Sequence, residues 1–344
     1  MGVPITDILS RKEISVPDIY GKVIAVDAYN HIYQFLSTIR QRDGTPLMDS
    51  KGGITSHLSG LFSRTANLME RNVRLVYVFD GKAPDMKRTE QERRQKAKQK
   101  AEAKYKIAVQ KEDIDGMRKY ASRTSRLTAE MIEESKSLLT AMGVPIVQAP
   151  SEGEAQAAHV VREGHAYAVA SQDADSLLFG TPLLIRNLSI SGRRKKASSA
   201  LYEQVSPELV DLEKTLAELD ISQDQLIALA LLVGTDYNSA GIKGIGPKKA
   251  LQLVKEHAND FDALFSAVSW SQHYDVSWKE IFRQFKEMPV TSDYTLNWRD
   301  INDSLVIDLL VGQHDFSNER VSATLDKLHK AQSQNRQKGL GEYF

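Results

Sequence analysis

The sequence predicts an α/β fold: a central, mostly parallel sheet with helices on both faces. Three observations predict it. Short apolar runs of strand length recur along the chain, at Val23-Ile24-Ala25-Val26, Val73 to Phe79 and Ala166-Tyr167-Ala168-Val169-Ala170. Helix-period patterns separate them, at about 54–71, 128–142 and 153–163. Strands that alternate with helices build a parallel sheet covered on both faces. Finally, 344 residues, 41% of them hydrophobic, suffice for about two domains or one large one. The chain has no Cys, which excludes disulfide frameworks, Cys-ligated zinc and thiol catalysis. No apolar run reaches the ~18 residues of a membrane span, and no signal peptide opens the chain. Met1-Gly2-Val3-Pro4-Ile5-Thr6 fits only the loose myristoylation pattern, so a soluble intracellular protein is expected.

Taken in order, the first run ends in Asp27 and the second in Asp80. The third leads into Gln172-Asp173-Ala174-Asp175. In open parallel sheets ligands bind beyond the carboxyl ends of the strands, so these carboxylates are expected to converge on one edge. Asp173 and Asp175, two apart, project the same way from an extended chain. Any one of them alone would pass as a helix cap. Val144-Pro145-Ile146-Val147 predicts a further short strand, shortly before Glu152 and Glu154. Residues two apart do not share a helix face, and Ser151-x-x-Glu154 fits a capping box. Glu154 therefore stands open between a cap and a ligand. Carboxylates crowded at one edge need compensating charge, and an all-oxygen site suits Mg2+ or Mn2+. Two such ions ~4 Å apart would hold the attacking and leaving oxygens of a phosphodiester. A single-metal phosphatase site, with fewer ligands, is the alternative.

The neutral total charge conceals an asymmetry. Gly81 to Arg126 carries 15 Lys/Arg against 7 Asp/Glu, a balance of +8 that leaves −8 elsewhere. A polyanion partner or a solvated, ion-paired helix would each account for it. Arg88 to Gln110 has helix-forming composition but almost no face to bury, so about 86–125 is expected as an insertion over the sheet's edge. A second basic cluster, Arg193-Arg194-Lys195-Lys196, is expected in a Ser/Gly-rich loop. An apolar helix from Asp224 to Val233 leads into Gly234-Thr235-Asp236-Tyr237. There follows Gly241-Ile242-Lys243-Gly244-Ile245-Gly246-Pro247-Lys248-Lys249-Ala250. Free N–H groups where Pro247 opens a helix, with Lys248 and Lys249, fit a helix-hairpin-helix contact to DNA phosphates. Residues 271–330 read as compact and helical, and the polar stretch from Ala331 to Gly341 as a flexible tail.

Together these motifs resemble the flap endonuclease family of structure-specific 5′ nucleases, within the XPG/Rad2 superfamily, over almost the whole chain. The matching segments are Val26-Asp27-Ala28, Val78-Phe79-Asp80-Gly81-Lys82, Glu152-Gly153-Glu154-Ala155, Asp173-Ala174-Asp175, Gly234-Thr235-Asp236-Tyr237 and the Gly241–Ala250 hairpin, in that order. The short C-terminus looks archaeal. The resemblance implies a PIN-like nuclease with a helical arch. Its regions would be 1–85 and 126–220 (nuclease), 86–125 (basic arch), 221–270 (helix-hairpin-helix), 271–330 (helices on the nuclease body) and 331–344 (tail). It implies that Asp27, Asp80, Glu152, Glu154, Asp173, Asp175 and Asp236 surround two Mg2+ ions, with Mn2+ as a substitute. Lys87 and Arg94 match the family's catalytic basic residues, seven apart on one helix face. Tyr33 matches an aromatic that stacks on a base near the cut. Tyr33, Lys87, Arg94, Glu152, Gly234, Asp236, Gly244, Gly246, Lys248 and Lys249 would contact DNA, with the amino terminus at Gly2 nearby. The tail Gln337-Lys338-Gly339-Leu340-Gly341-Glu342-Tyr343-Phe344 resembles a clamp-binding box, with Gln337, Leu340, Tyr343 and Phe344 engaging the sliding clamp, PCNA, as a one-turn helix.

The implied activity is Mg-dependent cleavage of 5′ flaps near the single-strand/double-strand junction, with 5′-3′ exonuclease activity. It would serve Okazaki fragment maturation and long-patch base excision repair. The partner DNA is branched with a 5′ flap. The protein would be a monomer without a membrane partner, cytoplasmic in an archaeal cell and nuclear in a eukaryotic one. Two alternatives remain: a superfamily 5′-3′ exonuclease or gap endonuclease, and a non-catalytic junction binder that recruits the clamp.

Overall fold

The computed structural model describes residues 2–111, 113–121, 124–188, 193–195 and 202–341. Seven strands form one sheet: β1 (Arg11–Glu13), β2 (Val23–Asp27), β3 (Arg74–Phe79), β4 (Ile146–Gln148), β5 (Ala168–Ala170), β6 (Leu183–Arg186) and β9 (Glu208–Asp211). A separate antiparallel pair joins β7 (Arg193–Lys195) to β8 (Tyr202–Gln204). The main order is β1-β9-β6-β5-β2-β3-β4. Its five strands from β6 to β4 are parallel, and β9 and β1 extend it antiparallel at one edge.

Period-two alternation sets two cores. Ile24, Val26, Leu75, Tyr77 and Phe79 face one side, and Ala25, Val76 and Val78 the other. The first side is covered by α1 (Ala28–Thr38), α2 (Ser56–Glu70), α5 (Ala129–Ala141) and the C-terminal α14 (Asn318–Gly341), which contributes Val321, Leu325 and Leu328. The second is covered by α6 (Gly153–Arg162), the short α7 (Asp175–Leu178) and α9 (Gln223–Val233), which is buried continuously from Leu226 to Val233. Ser222 and Gln225 close a reciprocal capping box at the start of α9. Then come α10 (Pro247–His257), α11 (Phe261–Ala267) and α12 (Trp278–Lys286); α8 (Leu212–Leu219) follows β9, and α13 (Asp303–Ile307) precedes α14. Among the described residues no helix is long and apolar enough to cross a membrane.

The basic segment is a long helix, α3 (Arg88–Gln110), packed on α4 (Ile114–Ala121), with Ala101, Ala108 and Ala121 buried. Three expectations need correction. The Arg193-Arg194-Lys195 cluster lies in the β7–β8 hairpin rather than in a loop. Lys196 lies outside the described residues. Residues 288–302 are not helical but form an extended strap, in which Trp298 Nε1 donates to the Leu75 carbonyl at 2.8 Å and stacks under the Arg74 guanidinium. Pro289 and the Thr291-Ser292-Asp293 run oppose helix there. Finally, residues 331–341 continue α14 as helix instead of leaving it as a tail, because Ala, Gln, Lys and Arg propagate a helix with no Pro to stop it.

Candidate active-site cleft

Asp27 ends β2 and caps α1, accepting from Asn30 N at 3.0 Å and from Ser171 Oγ at 3.1 Å. The cap reading thus holds for it, and its carboxylate lines the cleft as well. Asp80 follows β3 directly, and its Oδ1 accepts from Gly153 N at 2.6 Å, so it caps α6 from a neighbouring strand. Ser151 donates instead to the Lys82 carbonyl at 3.0 Å, and Glu152 takes the N-cap position. The Ser151/Glu154 capping box is therefore not formed. The first turn of α6 is wound so that Glu152 and Glu154 both reach the sheet edge. Beyond β5, Asp173 accepts from Asn30 Nδ2 at 2.9 Å, and Asp175 accepts from Val3 N at 2.6 Å. Gly2 lies so close that a Cβ there would sit 2.4 Å from the Asp173 Cβ. Asp236 comes from the turn after α9, where Gly234 at φ +113 lets the chain pass Gly241.

All seven predicted carboxylates line one cleft of about 1110 Å3, together with Tyr33, Lys87 and Arg94. Burial, then crowding, raises the pKa of four of the carboxylates. The Asp27 carboxyl is pushed up to about 7 by burial, with Asp80 and Asp173 adding to it. Asp175 rises to about 7 through burial, Asp173 and Asp236, and Asp80 to about 6 through burial and Glu152. Glu154 is also raised, by burial and then by Asp175 and Asp27. Two cations answer this charge. Lys87 pairs with Glu152 and reaches Asp236 at 3.4 Å, and its ammonium lies over the Tyr237 ring. Burial alone would lower the Lys87 pKa, but Glu152, Tyr237 and Asp236 together raise it. Arg94 pairs with Asp236 and with Glu90.

The donor set fits hard divalent cations: all oxygens, mostly carboxylate, short of positive charge. Among the described residues no three acidic or His side chains already meet tightly enough to grip an ion. The structure brings the carboxylates to one cleft but not into a closed cage.

Tyr33 stands at the arch side of the cleft, its hydroxyl donating to the Ser125 carbonyl and Lys98 over its ring. The loop glycines Gly244 and Gly246 and the side chains of Lys248 and Lys249 are exposed at the start of α10, with Pro247 in its first turn. Gln337 and Leu340 fall in the last turns of α14, where only the backbone is described, and Tyr343 and Phe344 lie outside the described residues. Sequence reasoning missed the Val3 amide, Asn30 and Ser171, which orient the carboxylates, and Glu90, a buried acid within the basic run. Only the i, i+3 and i, i+4 spacing of Glu90 to Arg93 and Arg94 could have signalled it.

Residues 4–101 match the family model described as the XPG N-terminal domain, and residues 143–236 that of the XPG I-region. The chain is 54% identical to flap endonuclease 1 of Pyrococcus abyssi, covering 100% of this chain and 98% of that protein. With flap endonuclease 1 of Pyrococcus furiosus it shares 53%, over 100% and 99%. Among solved structures it is similar to flap endonuclease-1 from Methanococcus jannaschii, at 40% identity and a TM-score of 0.76, covering 97% and 100% of the two chains. The catalytic core of Rad2 in complex with DNA substrate shares the fold at 22% identity and a TM-score of 0.67, over 94% and 97%.

Proposed function

Because the chain belongs to the flap endonuclease family of XPG nucleases, we propose that its carboxylate cleft cuts 5′-flap DNA next to the junction. The chain is a phosphodiester hydrolase of that family. The observation that carries the assignment to this cleft is the convergence of seven carboxylates, from Asp27 to Asp236, opposite Lys87 and Arg94.

In this reading Asp27, Asp80, Glu152, Glu154, Asp173, Asp175 and Asp236 would hold two Mg2+ ions, directly or through water. When bound, such ions supply positive charge for the attacking and departing oxygens of an in-line displacement. The chain's own residues do the rest. Lys87 and Arg94 exchange Glu152 and Asp236 for the scissile phosphate and stabilise the charge it gains. Gly244, Gly246, Lys248 and Lys249 hold a duplex phosphate at the start of α10, independent of sequence. Tyr33 offers a stacking face, which tolerates any base. Gly234 gives the backbone room beside Asp236, and Gly2 leaves space for the Asp173 and Asp175 side chains. Gln337, Leu340, Tyr343 and Phe344 would engage the sliding clamp. The enzyme would act as a cytoplasmic monomer in Okazaki fragment maturation and long-patch base excision repair.

The test is divalent-dependent cutting of an end-labelled 5′-flap oligonucleotide, with the cut mapped and a blunt duplex alongside. A cut at the junction supports the reading. Preference for the blunt duplex would make it a 5′-3′ exonuclease. Binding without cutting in Mg2+ would make it a junction binder.

A further inference from the structure

Among the described residues, Glu90 is the one cleft-lining carboxylate that the proposed mechanism does not use. It sits on the first turn of α3, 6% exposed, between two arginines that are far more open: Arg93 at 56% and Arg94 at 38%. Its Oε2 accepts from Arg93 Nε at 2.6 Å, and its Oε1 accepts from Arg93 Nη2 at 2.8 Å and from Arg94 Nε at 2.9 Å. The side chain of Ser239, three residues beyond Asp236, also hydrogen-bonds it. Arg94 is thus held at two points: Nε on Glu90 and Nη2 on Asp236.

These contacts divide the guanidinium. An arginine has several rotatable bonds and loses much freedom when fixed, so one anchored at Nε is already aimed. Nε is committed to Glu90 on the same helix, whereas Nη2 meets Asp236, one of the carboxylates proposed to surround the metals. A phosphate arriving there can replace Asp236 without disturbing the anchor. Ser239 and Glu90 also tie the base of the arch to the turn that carries Asp236.

We propose that Glu90 is a positioning residue for the cleavage step: its carboxylate holds Arg94 by Nε, so that the Nη atoms meet the scissile phosphate ready-oriented. This rests on the reading of Arg94 as a phosphate-contacting residue. A surface ion pair would do no such work, because an exposed pair contributes little and orients nothing. Glu90 is neither exposed nor singly paired.

The experiment is single-turnover cleavage of a 5′-flap substrate in Mg2+, at saturating enzyme, by R94A, E90Q, E90D and the double variant E90Q/R94A. Flap binding in Ca2+ and the melting temperature are measured for each. R94A is expected to slow cutting by about 100-fold or more. E90Q should slow it by roughly 10-fold or more, with flap affinity within about 3-fold of the parent, because aim and not grip is lost. E90D, which keeps the charge but shortens the reach, should fall between. The double variant should match R94A within about 2-fold, since Glu90 has nothing left to orient. Slow R94A with full-speed E90Q would overturn the inference, as would losses that multiply in the double variant. Full-speed R94A would instead overturn the reading of Arg94. If E90Q does not fold, the E90D/R94A pair gives the same non-additivity test.

Discussion

Asp175→Asn should make the metal-free protein more stable and the enzyme inactive. Burial and the neighbouring Asp173 and Asp236 raise the Asp175 carboxyl from 3.8 to about 7. The folded chain therefore prefers it protonated, while the unfolded chain ionises it near 3.8. Its effect on stability is neutral below about pH 4 and turns unfavourable as pH rises from there through 7. A rise of ~3 units at ~1.4 kcal/mol each sets a ceiling of ~4 kcal/mol above pH 7. Asn abolishes that penalty and keeps the geometry, because its Oδ1 can still accept from Val3 N, 2.6 Å away in the parent. About half the ceiling, ~2 kcal/mol, is expected once neighbours have relaxed, which for a chain of this size is roughly 3–5 °C in Tm. The assay is calorimetric melting in EDTA at pH 8 and pH 5, with flap cleavage in Mg2+ alongside. The gain should be full at pH 8 and cut to about a third at pH 5, while cutting falls by about 1000-fold or more. An unchanged or lower Tm at pH 8, or an equal gain at both pH values, would refute the argument. Normal turnover would remove Asp175 from the site.

Other outcomes follow from the same geometry. Replacing Lys248 and Lys249 by Ala should weaken flap binding and make its log–log salt slope shallower by ~0.9 for each phosphate no longer neutralised, which a salt titration reads. Gly234→Ala should cost ~2–3 kcal/mol, because φ is +113 and the new Cβ would lie 2.7 Å from Gly241 N; an unchanged melting temperature would count against it. Tyr33→Phe should cut at nearly the parent rate, whereas Tyr33→Ala should be slower by about 10-fold for want of a stacking face, measured in single turnover. Deleting 337–344 should leave intrinsic cleavage intact and abolish stimulation by the sliding clamp; equal stimulation would reject the clamp assignment.

The parallel strands were legible because a buried strand announces itself as an apolar run, and because an Asp closing such a run marks the carboxyl edge. Asp27, Asp80 and the Asp173/Asp175 pair were found that way. The antiparallel edge was not. β1 is Arg-Lys-Glu, exposed along its length, and its pairing with β9 owes nothing to apolar pattern. The capping box at Ser151 failed for a related reason: local spacing could not reveal that Asp80, 73 residues away, supplies the acceptor for Gly153 N. Glu90 was hidden by its neighbours, since an acid inside a basic run reads as a solvated ion pair until burial is known. The extended strap escaped notice because Trp298 and Arg74 are adjacent only in space.

The acidic edge is collected from distant stretches of chain, and Asp175 is fastened by the amide of Val3. Asp236 is carried by the turn after α9, the helix buried against the sheet from Leu226 to Val233. A fragment that stops short of Asp236, or loses Val3, consequently cannot assemble the whole edge. The cleft's acidic lining is thus a product of tertiary folding and not of any one stretch of chain.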